Sequence, residues 1–344
     1  MAAVVLPFAS FGLLVRRGAA KLMAAPRRLP GEAGLGPAID ALGGEVVRLR
    51  SRDGTRLAAR WLPSAPGQDG DDDWLPDPHE AILLLHGWSG SVAPDVLEYA
   101  PFLRRTASVL ALDFGGHGDS DDAPTTFGWR EVEDVAGALA WLGERGMTRV
   151  GLMGTSMGGI TAIAAVAVLG DGSLAAADVD PDAPAFTSPA PRPQIVAVVA
   201  DSVAPDLVTA VANRIKGPGI VRRAIAGRLF AGMAARLGAD PRATEPIRVV
   251  GLVDPVPLLL IAGAEDRTVP LAAAQRLAAA AGPSHQLLII PGADHSAGHR
   301  AAPAHYEGVV ATVLRRAFSD LREPRAILAE RPRPQATGPE GKSD

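Results

Sequence analysis

Residues 150–158 read Val-Gly-Leu-Met-Gly-Thr-Ser-Met-Gly, an apolar run that leads into a serine flanked by glycines. The last five match the pattern Gly-x-Ser-x-Gly, in which a strand passes through a sharp turn directly into a helix. Glycines two residues either side of Ser156 lack a Cβ, so strand and helix can approach closely around a strained serine. The pattern therefore predicts Ser156 at a helix N-terminus, where free N–H groups favour developing negative charge. Ser156 is a candidate nucleophile, although a glycine-rich turn of this kind can also be purely structural.

The chain around this motif alternates short apolar runs with amphipathic stretches. Two strands joined at Asp53-Gly54 form a predicted hairpin near the N-terminus, Glu45 to Ser51 and Thr55 to Leu62. Short, continuous and largely apolar runs indicate strands buried on both faces of a parallel sheet: Ala81–Leu85, Ser108–Leu112, Thr148–Met153, Ile195–Ala200, Pro257–Ala262 and Gln286–Ile290. Predicted helices lie between and after them: Pro94–Arg105, Trp129–Arg145, Met157–Leu169, Leu271–Ala281 and Ala304–Ser319. The fold class is α/β, a doubly wound and mostly parallel sheet that carries an N-terminal antiparallel hairpin.

Three segments interrupt this domain, which we place at residues 45–320, and a fourth follows it. Residues 203–254 contain helical stretches and several arginines but no buried strand, and we interpret them as a helical cap inserted between two strands (the cap segment). Residues 63–80, which include Asp71, form an acidic loop, and residues 171–194 form a second loop rich in Ala, Pro and Asp. Residues 321–344 have the composition of a disordered tail.

Residues 1–40 form an apolar and then basic leader. Met1 to Val15 carries no charge and is followed by Arg16, Arg17 and Lys21, which is the reverse of the order in a secretory signal. The run is also shorter than the ~20 residues of a spanning helix. We expect a cytoplasmic protein whose first 30 residues pack on the domain or stay disordered. Peripheral membrane contact through these residues is the alternative.

Composition excludes several classes of function. The chain of 344 residues has a net charge of -4, which gives no electrostatic reason to expect a nucleic-acid partner. It contains no cysteine, so disulfides, thiolate metal sites and a cysteine nucleophile are all excluded. No metal-ligand cluster or nucleotide-binding pattern is present, and we expect no metal or cofactor. The oligomeric state stays open.

Chemistry in open α/β sheets gathers at the carboxyl ends of the strands. Polar or glycine-rich residues follow five of the predicted strands there: His86-Gly87-Trp88-Ser89-Gly90, Asp113-Phe114-Gly115-Gly116-His117-Gly118-Asp119-Ser120, Ser156, Gly263-Ala264-Glu265-Asp266-Arg267-Thr268-Val269-Pro270 and Pro291-Gly292-Ala293-Asp294-His295-Ser296.

Together these blocks resemble the α/β-hydrolase superfamily, with H-G-x-x-G, D-x-G-G-H-G-x-S, G-x-S-M-G-G, G-x-x-D-x-x-V-P and a late D-H. The resemblance covers Glu45 to about Ser319 and keeps the order serine, acid, histidine. Within the superfamily the chain is similar to cap-bearing prolyl-oligopeptidase-like and serine-aminopeptidase-like enzymes. The resemblance implies the α/β-hydrolase fold, with the Asp113 block as a structural turn.

The resemblance also implies a role for each site residue. Ser156 is the nucleophile, His295 is the general base, and Asp266 orients the imidazole and stabilises its protonated form. Asp201, after the Ile195–Ala200 strand, competes with Asp266, because some relatives place the acid there. His299 is the reserve base among seven histidines; the others are His79, His86, His117, His285 and His305.

Two backbone N–H groups are expected to form the oxyanion hole, those of Met157 and Trp88. The Trp88 ring would line the acyl pocket or pack against the cap. The expected activity is that of a serine hydrolase acting on a small-molecule ester, thioester or amide through an acyl-enzyme, most like a carboxylesterase. Peptidase or aminopeptidase activity and acyl transfer are alternatives, and a non-catalytic binding protein on the same fold is a further one.

Overall fold

The computed structural model describes residues 2–65, 74–170 and 191–320, with the backbone alone for residues 2–11. The middle of the acidic loop (66–73), most of the second loop (171–190) and the predicted tail (321–344) lie outside the described residues.

Eight strands of the described residues form one sheet in the order β1-β2-β4-β3-β5-β6-β7-β8. The hairpin strands β1 and β2 pair antiparallel with each other, and β2 pairs antiparallel with β4. All remaining pairs are parallel, which confirms the predicted fold class. The strands are β1 Glu45–Arg50, β2 Arg56–Leu62, β3 Glu80–Leu85, β4 Ser108–Leu112, β5 Arg149–Thr155, β6 Gln194–Asp201, β7 Leu258–Gly263 and β8 His285–Ile290.

Helices connect the strands and flank the sheet. They are α1 Ala2–Met23, α2 Gly36–Ala41, α3 Ala93–Leu103, α4 Glu131–Glu144, α5 Met157–Leu169, α6 Leu207–Ala212, α7 Gly219–Leu237, α8 Pro246–Val249, α9 Leu271–Ala280, α10 Gly298–Ala301 and α11 Pro303–Asp320. The short α2 and α10 lack an apolar period and were not predicted from the sequence.

Two apolar layers bury the sheet, because the central strands present apolar side chains on both faces. Strands β3 and β4 are buried at every residue. One layer includes α4 and α5, and the other includes α3 and α11. Helix α5 is apolar on all sides and buried along its whole length, as expected of a helix enclosed by protein. Its N-terminus, which follows Ser156, is therefore held firmly against the sheet.

The cap segment is helical and lies beside the loop that follows β7. Ala210 of α6 packs with Val269 and Ala273, and Val203 lies against Gly159 at the start of α5. Helix α7 packs against α1, where Leu229 approaches Gly18. The cap segment thus contacts both the loop carrying Asp266 and the N-terminal helix.

Helix α1 has two differently exposed parts. Ala19 and Met23 are buried in its C-terminal half, whereas Leu13 and Leu14 are 52% and 66% exposed. No helix of the described residues is long and apolar enough to cross a bilayer. Membrane contact through α1 stays a prediction.

Candidate active site

Ser156 occupies a tight turn between β5 and α5. Its backbone has φ 50° and ψ -109°, a conformation that is rare for residues other than glycine. A Cβ on Gly154 would overlap the backbone of Gly158, and a Cβ on Gly158 would overlap the carbonyl of Leu85. Both motif glycines are therefore required by close backbone packing, independently of any chemistry.

The structure brings three of the predicted site residues together. His295 Nε2 lies 3.0 Å from Ser156 Oγ, and His295 Nδ1 lies 2.8 Å from Asp266 Oδ2. Because a carboxylate oxygen can only accept here, the imidazole donates from Nδ1 and its Nε2 faces the serine as an acceptor. The side chain of Asp266 is 1% exposed and that of His295 is 18% exposed. Ser156, His295 and Asp266 are called the Ser-His-Asp array below.

Backbone donors fix the Asp266 carboxylate. Its Oδ1 accepts hydrogen bonds of 2.7 Å from the N–H groups of both Thr268 and Val269, which leaves Oδ2 for His295. The neighbouring Asp294 accepts from the N–H of His295 and from the N–H of Arg267. Two hydrogen bonds thus join the loop after β7 to the loop after β8, one between Asp266 and His295 and one between Arg267 and Asp294.

Asp201 lies nearby but has other partners. Its buried carboxyl group accepts hydrogen bonds of 2.9 Å from Tyr306 Oη and from Ser202 Oγ. Burial raises the pKa of Asp201 to about 6. Its backbone carbonyl accepts from the N–H of Ser156 at 2.8 Å. In this structure Asp266, and not Asp201, is the carboxylate that contacts His295.

The remaining histidines lie outside the array. His299 is close to the carboxylates of Glu98 and Glu307 and stacks on Phe102. Four other histidine rings hydrogen-bond to backbone carbonyl groups: His79 to Gly146, His285 to Gly282, His117 to Gly115 and His86 to Gly87.

His86 is held neutral in the loop after β3. Its Nδ1 donates to the Gly87 carbonyl at 2.7 Å, and its Nε2 accepts from the N–H of Phe114 at 3.1 Å. A second proton on Nε2 would displace that backbone donor. Burial, with His117 nearby, lowers the pKa of His86 to about 3.

This neutral His86 predicts acid-sensitive folding. The unfolded chain binds a proton at His86 near pH 6.5, whereas the folded chain does so only near pH 3, so the stabilisation falls as pH decreases between these values. From pH 7 to 4.5, wild type should lose roughly 2–3 kcal/mol of unfolding free energy relative to His86→Asn, which lacks this titration. Urea denaturation of both proteins at the two pH values measures the difference. If the difference in unfolding free energy between wild type and His86→Asn were the same at pH 7 and at pH 4.5, the assignment of a neutral His86 would be contradicted.

The loop after β3 borders the nucleophile. A Cβ built on Gly87 would lie 3.7 Å from the Cβ of Ser156. The ring of the adjacent Trp88 stacks on Phe127 with centroids 6.1 Å apart, and Phe127 meets Phe230 of α7 edge-on. The Trp88 ring thus belongs to an aromatic cluster that reaches the cap segment, while its backbone lies beside the serine loop.

One residue at the site was not predicted. Arg214, between α6 and α7, places Nη2 3.3 Å from His295 Nε2. The sequence shows Arg214 only as one of several basic residues in the cap segment, and no motif distinguishes it. Among the described residues, no group of three His, Cys, Asp or Glu side chains could hold a metal ion.

A model of the alpha/beta hydrolase family matches residues 82–312, which contain the whole Ser-His-Asp array. The chain belongs to the alpha/beta hydrolase family. Among curated relatives, the uncharacterized protein YfhR of Escherichia coli O157:H7 is 25% identical over 262 residues, covering 74% of this chain and 75% of YfhR. YfhR of Salmonella typhi is 24% identical over 260 residues, with 73% of this chain and 74% of that protein covered.

Solved structures of the same fold include the Pyrococcus furiosus esterase Pf2001. It superposes with a TM-score of 0.60 and is 21% identical, over 86% of this chain and 98% of the esterase. A puromycin hydrolase superposes with a TM-score of 0.55 at 19% identity, over 80% of this chain and 39% of that protein. These likenesses establish the alpha/beta hydrolase fold, and the more specific subgroup expected from the sequence stays a prediction.

Proposed function

We propose that this protein is a serine hydrolase that cleaves small-molecule esters through an acyl-enzyme intermediate. The observation that carries the proposal is the hydrogen-bonded array of Ser156, His295 and Asp266 at the carboxyl ends of the parallel strands. Its geometry meets the requirement that a base contacts the nucleophile while a third group orients the base. The esterase activity named for Pf2001 supports an ester as the first substrate class to test.

Each residue then has a defined task. Ser156 Oγ attacks the acyl carbonyl while its proton moves to His295 Nε2. The Asp266 carboxylate holds the Nδ1 proton and stabilises the imidazolium. The same Nε2–H protonates the leaving alkoxide, and a water molecule activated by His295 releases the acid from Ser156.

The tetrahedral oxyanion forms beside the N-terminus of α5. The N–H of Met157, the first residue of that helix, is one proposed donor, and the helix dipole favours negative charge at this position. The N–H of Trp88 is the second, since the preceding Gly87 lies against Ser156. A donor of this kind contributes about 3 kcal/mol of transition-state stabilisation.

A fluorophosphonate probe tests the proposal, because it reacts only with an activated serine. We expect the folded wild-type protein to be labelled at Ser156, as located by peptide mass spectrometry, and to hydrolyse p-nitrophenyl butyrate. Adding an alcohol acceptor distinguishes hydrolysis from acyl transfer by the products formed. A folded protein that neither reacts with the probe nor hydrolyses short esters would overturn the proposal.

A further inference from the structure

We propose that Arg214 binds an anionic group of the substrate, so that this hydrolase prefers esters carrying a carboxylate within a few bonds of the scissile carbonyl. The inference rests on the proposed function and adds a specificity-determining residue to it. It starts from the position of the guanidinium, whose Nη2 lies 3.3 Å from His295 Nε2. A group so close to Nε2 borders the space that the reacting ester must occupy.

Two hydrogen bonds position the guanidinium of Arg214, a residue that is otherwise exposed to solvent. Arg214 Nη1 donates to the Ala210 carbonyl at 2.9 Å, one turn earlier along α6. The adjacent Asn213 donates from its side-chain amide to the Thr268 carbonyl at 2.9 Å, in the loop that carries Asp266. The cap segment is thus anchored to that loop directly beside Arg214.

The charge of Arg214 has no carboxylate partner within ion-pair distance in the described part of the chain. Among the described residues, its two side-chain hydrogen bonds are to a carbonyl oxygen and to the imidazole nitrogen. Asp266 is near, but its oxygens are occupied by His295 and by two backbone N–H groups. A cation left beside the reaction centre in this way favours an anionic ligand.

The contact with Nε2 also has a chemical consequence. Neutral His295 has one acceptor lone pair at Nε2, and both Ser156 Oγ and Arg214 Nη2 lie within hydrogen-bond distance of it. The serine proton must move to that lone pair during attack. A substrate carboxylate that draws the guanidinium toward itself therefore leaves Nε2 free for Ser156. The anionic substrate is bound and the base is released by the same interaction.

Matched ester pairs test this assignment. In the first pair the charge is on the acyl side, ethyl butyrate against monoethyl succinate, whose alkoxide leaving group is not expelled by the neighbouring carboxylate on the time scale of the assay. In the second it is on the alcohol side, O-butyryl glycolate against 2-methoxyethyl butyrate. We expect wild type to favour the anionic ester of at least one pair, by about 10- to 100-fold in kcat/KM, the range of one charge-assisted hydrogen bond. The pair that shows the preference identifies the side on which Arg214 acts.

Variants connect the preference to this residue. Arg214→Gln should remove the preference while still hydrolysing the neutral esters, and Arg214→Lys should keep part of it through the retained charge. Arg236→Gln is the matched control, because Arg236 is exposed near the C-terminal end of α7, about 25 Å along that helix from its start. This control should keep the full preference. Added salt should weaken the preference of wild type and leave Arg214→Gln unaffected.

The outcomes separate the two proposals. Neutral esters hydrolysed by wild type with no anionic preference, or with a preference that survives in folded Arg214→Gln, would overturn the role of Arg214 and leave the serine hydrolase proposal intact. A folded wild type that hydrolyses none of the four esters and resists the fluorophosphonate probe would overturn the proposed function, and this assignment with it. If Arg214→Gln fails to fold, Arg214→Lys and the salt dependence of wild type carry the test.

Discussion

Replacing Ser156 with alanine is expected to lower kcat for p-nitrophenyl butyrate by about 10⁵- to 10⁶-fold and to abolish fluorophosphonate labelling. The alanine has no oxygen to attack the carbonyl, so the covalent pathway is lost altogether. The residual rate would come from the oxyanion donors and from substrate binding, which together retain a modest acceleration over water. Short assays of wild type and overnight assays of the purified variant together cover a difference in kcat of about 10⁵- to 10⁶-fold.

A matched serine control separates loss of the nucleophile from loss of the fold. Ser284 precedes β8 at the opposite edge of the sheet, and its carbonyl, which a side-chain change does not remove, accepts from Leu258. Ser284→Ala should therefore label and hydrolyse like wild type. Both variants should unfold near the wild-type temperature, because the one hydrogen bond of Ser156 Oγ within the described part of the chain is to the partly exposed His295 ring. Labelling of Ser156→Ala at the wild-type rate would contradict the assignment of the nucleophile.

The sequence allowed the sheet to be predicted because its signal is local. In a parallel sheet buried on both faces, each strand must be largely apolar, and the run from Ser108 to Leu112, which is apolar after its first residue, shows this pattern with the bounds that the structure gives. Helix Met157–Leu169 was also predicted with its observed bounds, since the Gly-x-Ser-x-Gly turn fixes its start. The hairpin at Asp53-Gly54 follows the same logic, with Gly54 at φ 94°.

The position of Arg214 beside His295 could not be predicted, because it depends on how the cap segment is placed. Its approach to His295 joins residues 81 positions apart in the chain, and nothing in the local pattern encodes that distance. The N-terminal segment gives a second example. Glu32 accepts a hydrogen bond from Ser91 Oγ, and the Pro26 carbonyl accepts from the N–H of Gly90, so this segment supports the loop after β3. Its sequence indicated only an apolar and basic leader.

The identity of the acid that contacts the histidine could be predicted only in part from the sequence. Asp201 ends β6 and Asp266 follows β7, and these strands are neighbours in the sheet, so strand order places both residues at the same edge. The resemblance to α/β hydrolases favoured Asp266 but left Asp201 open. Only the side-chain partners differ: backbone N–H groups and His295 for Asp266, against the hydroxyl groups of Tyr306 and Ser202 for Asp201.

Asp266→Asn is accordingly expected to lower kcat by about 10³- to 10⁴-fold, with little change in KM. An amide at this position can present its N–H₂ to His295 Nδ1, which favours the tautomer that carries its proton on Nε2. That tautomer cannot accept the Ser156 proton, and the amide does not stabilise an imidazolium. Single-turnover kinetics with p-nitrophenyl butyrate would report the loss directly in the acylation step.

Asp201→Asn is the control, since it changes a buried carboxyl group of the same size one strand away. It should lower kcat by less than about 10-fold, because its side chain hydrogen-bonds to Tyr306 and Ser202 and not to His295 or Ser156. The substitution should lower stability instead, because an amide N–H₂ group replaces one carboxylate oxygen. The buried hydroxyl of Tyr306 or Ser202 that bonded to this oxygen must then reorient, which lowers the free energy of unfolding by about 1–3 kcal/mol. If Asp201→Asn removed activity while folded Asp266→Asn retained it, the acid would be Asp201. The hydrogen bond between His295 Nδ1 and Asp266 would then belong to a resting arrangement of the site and not to the reactive one.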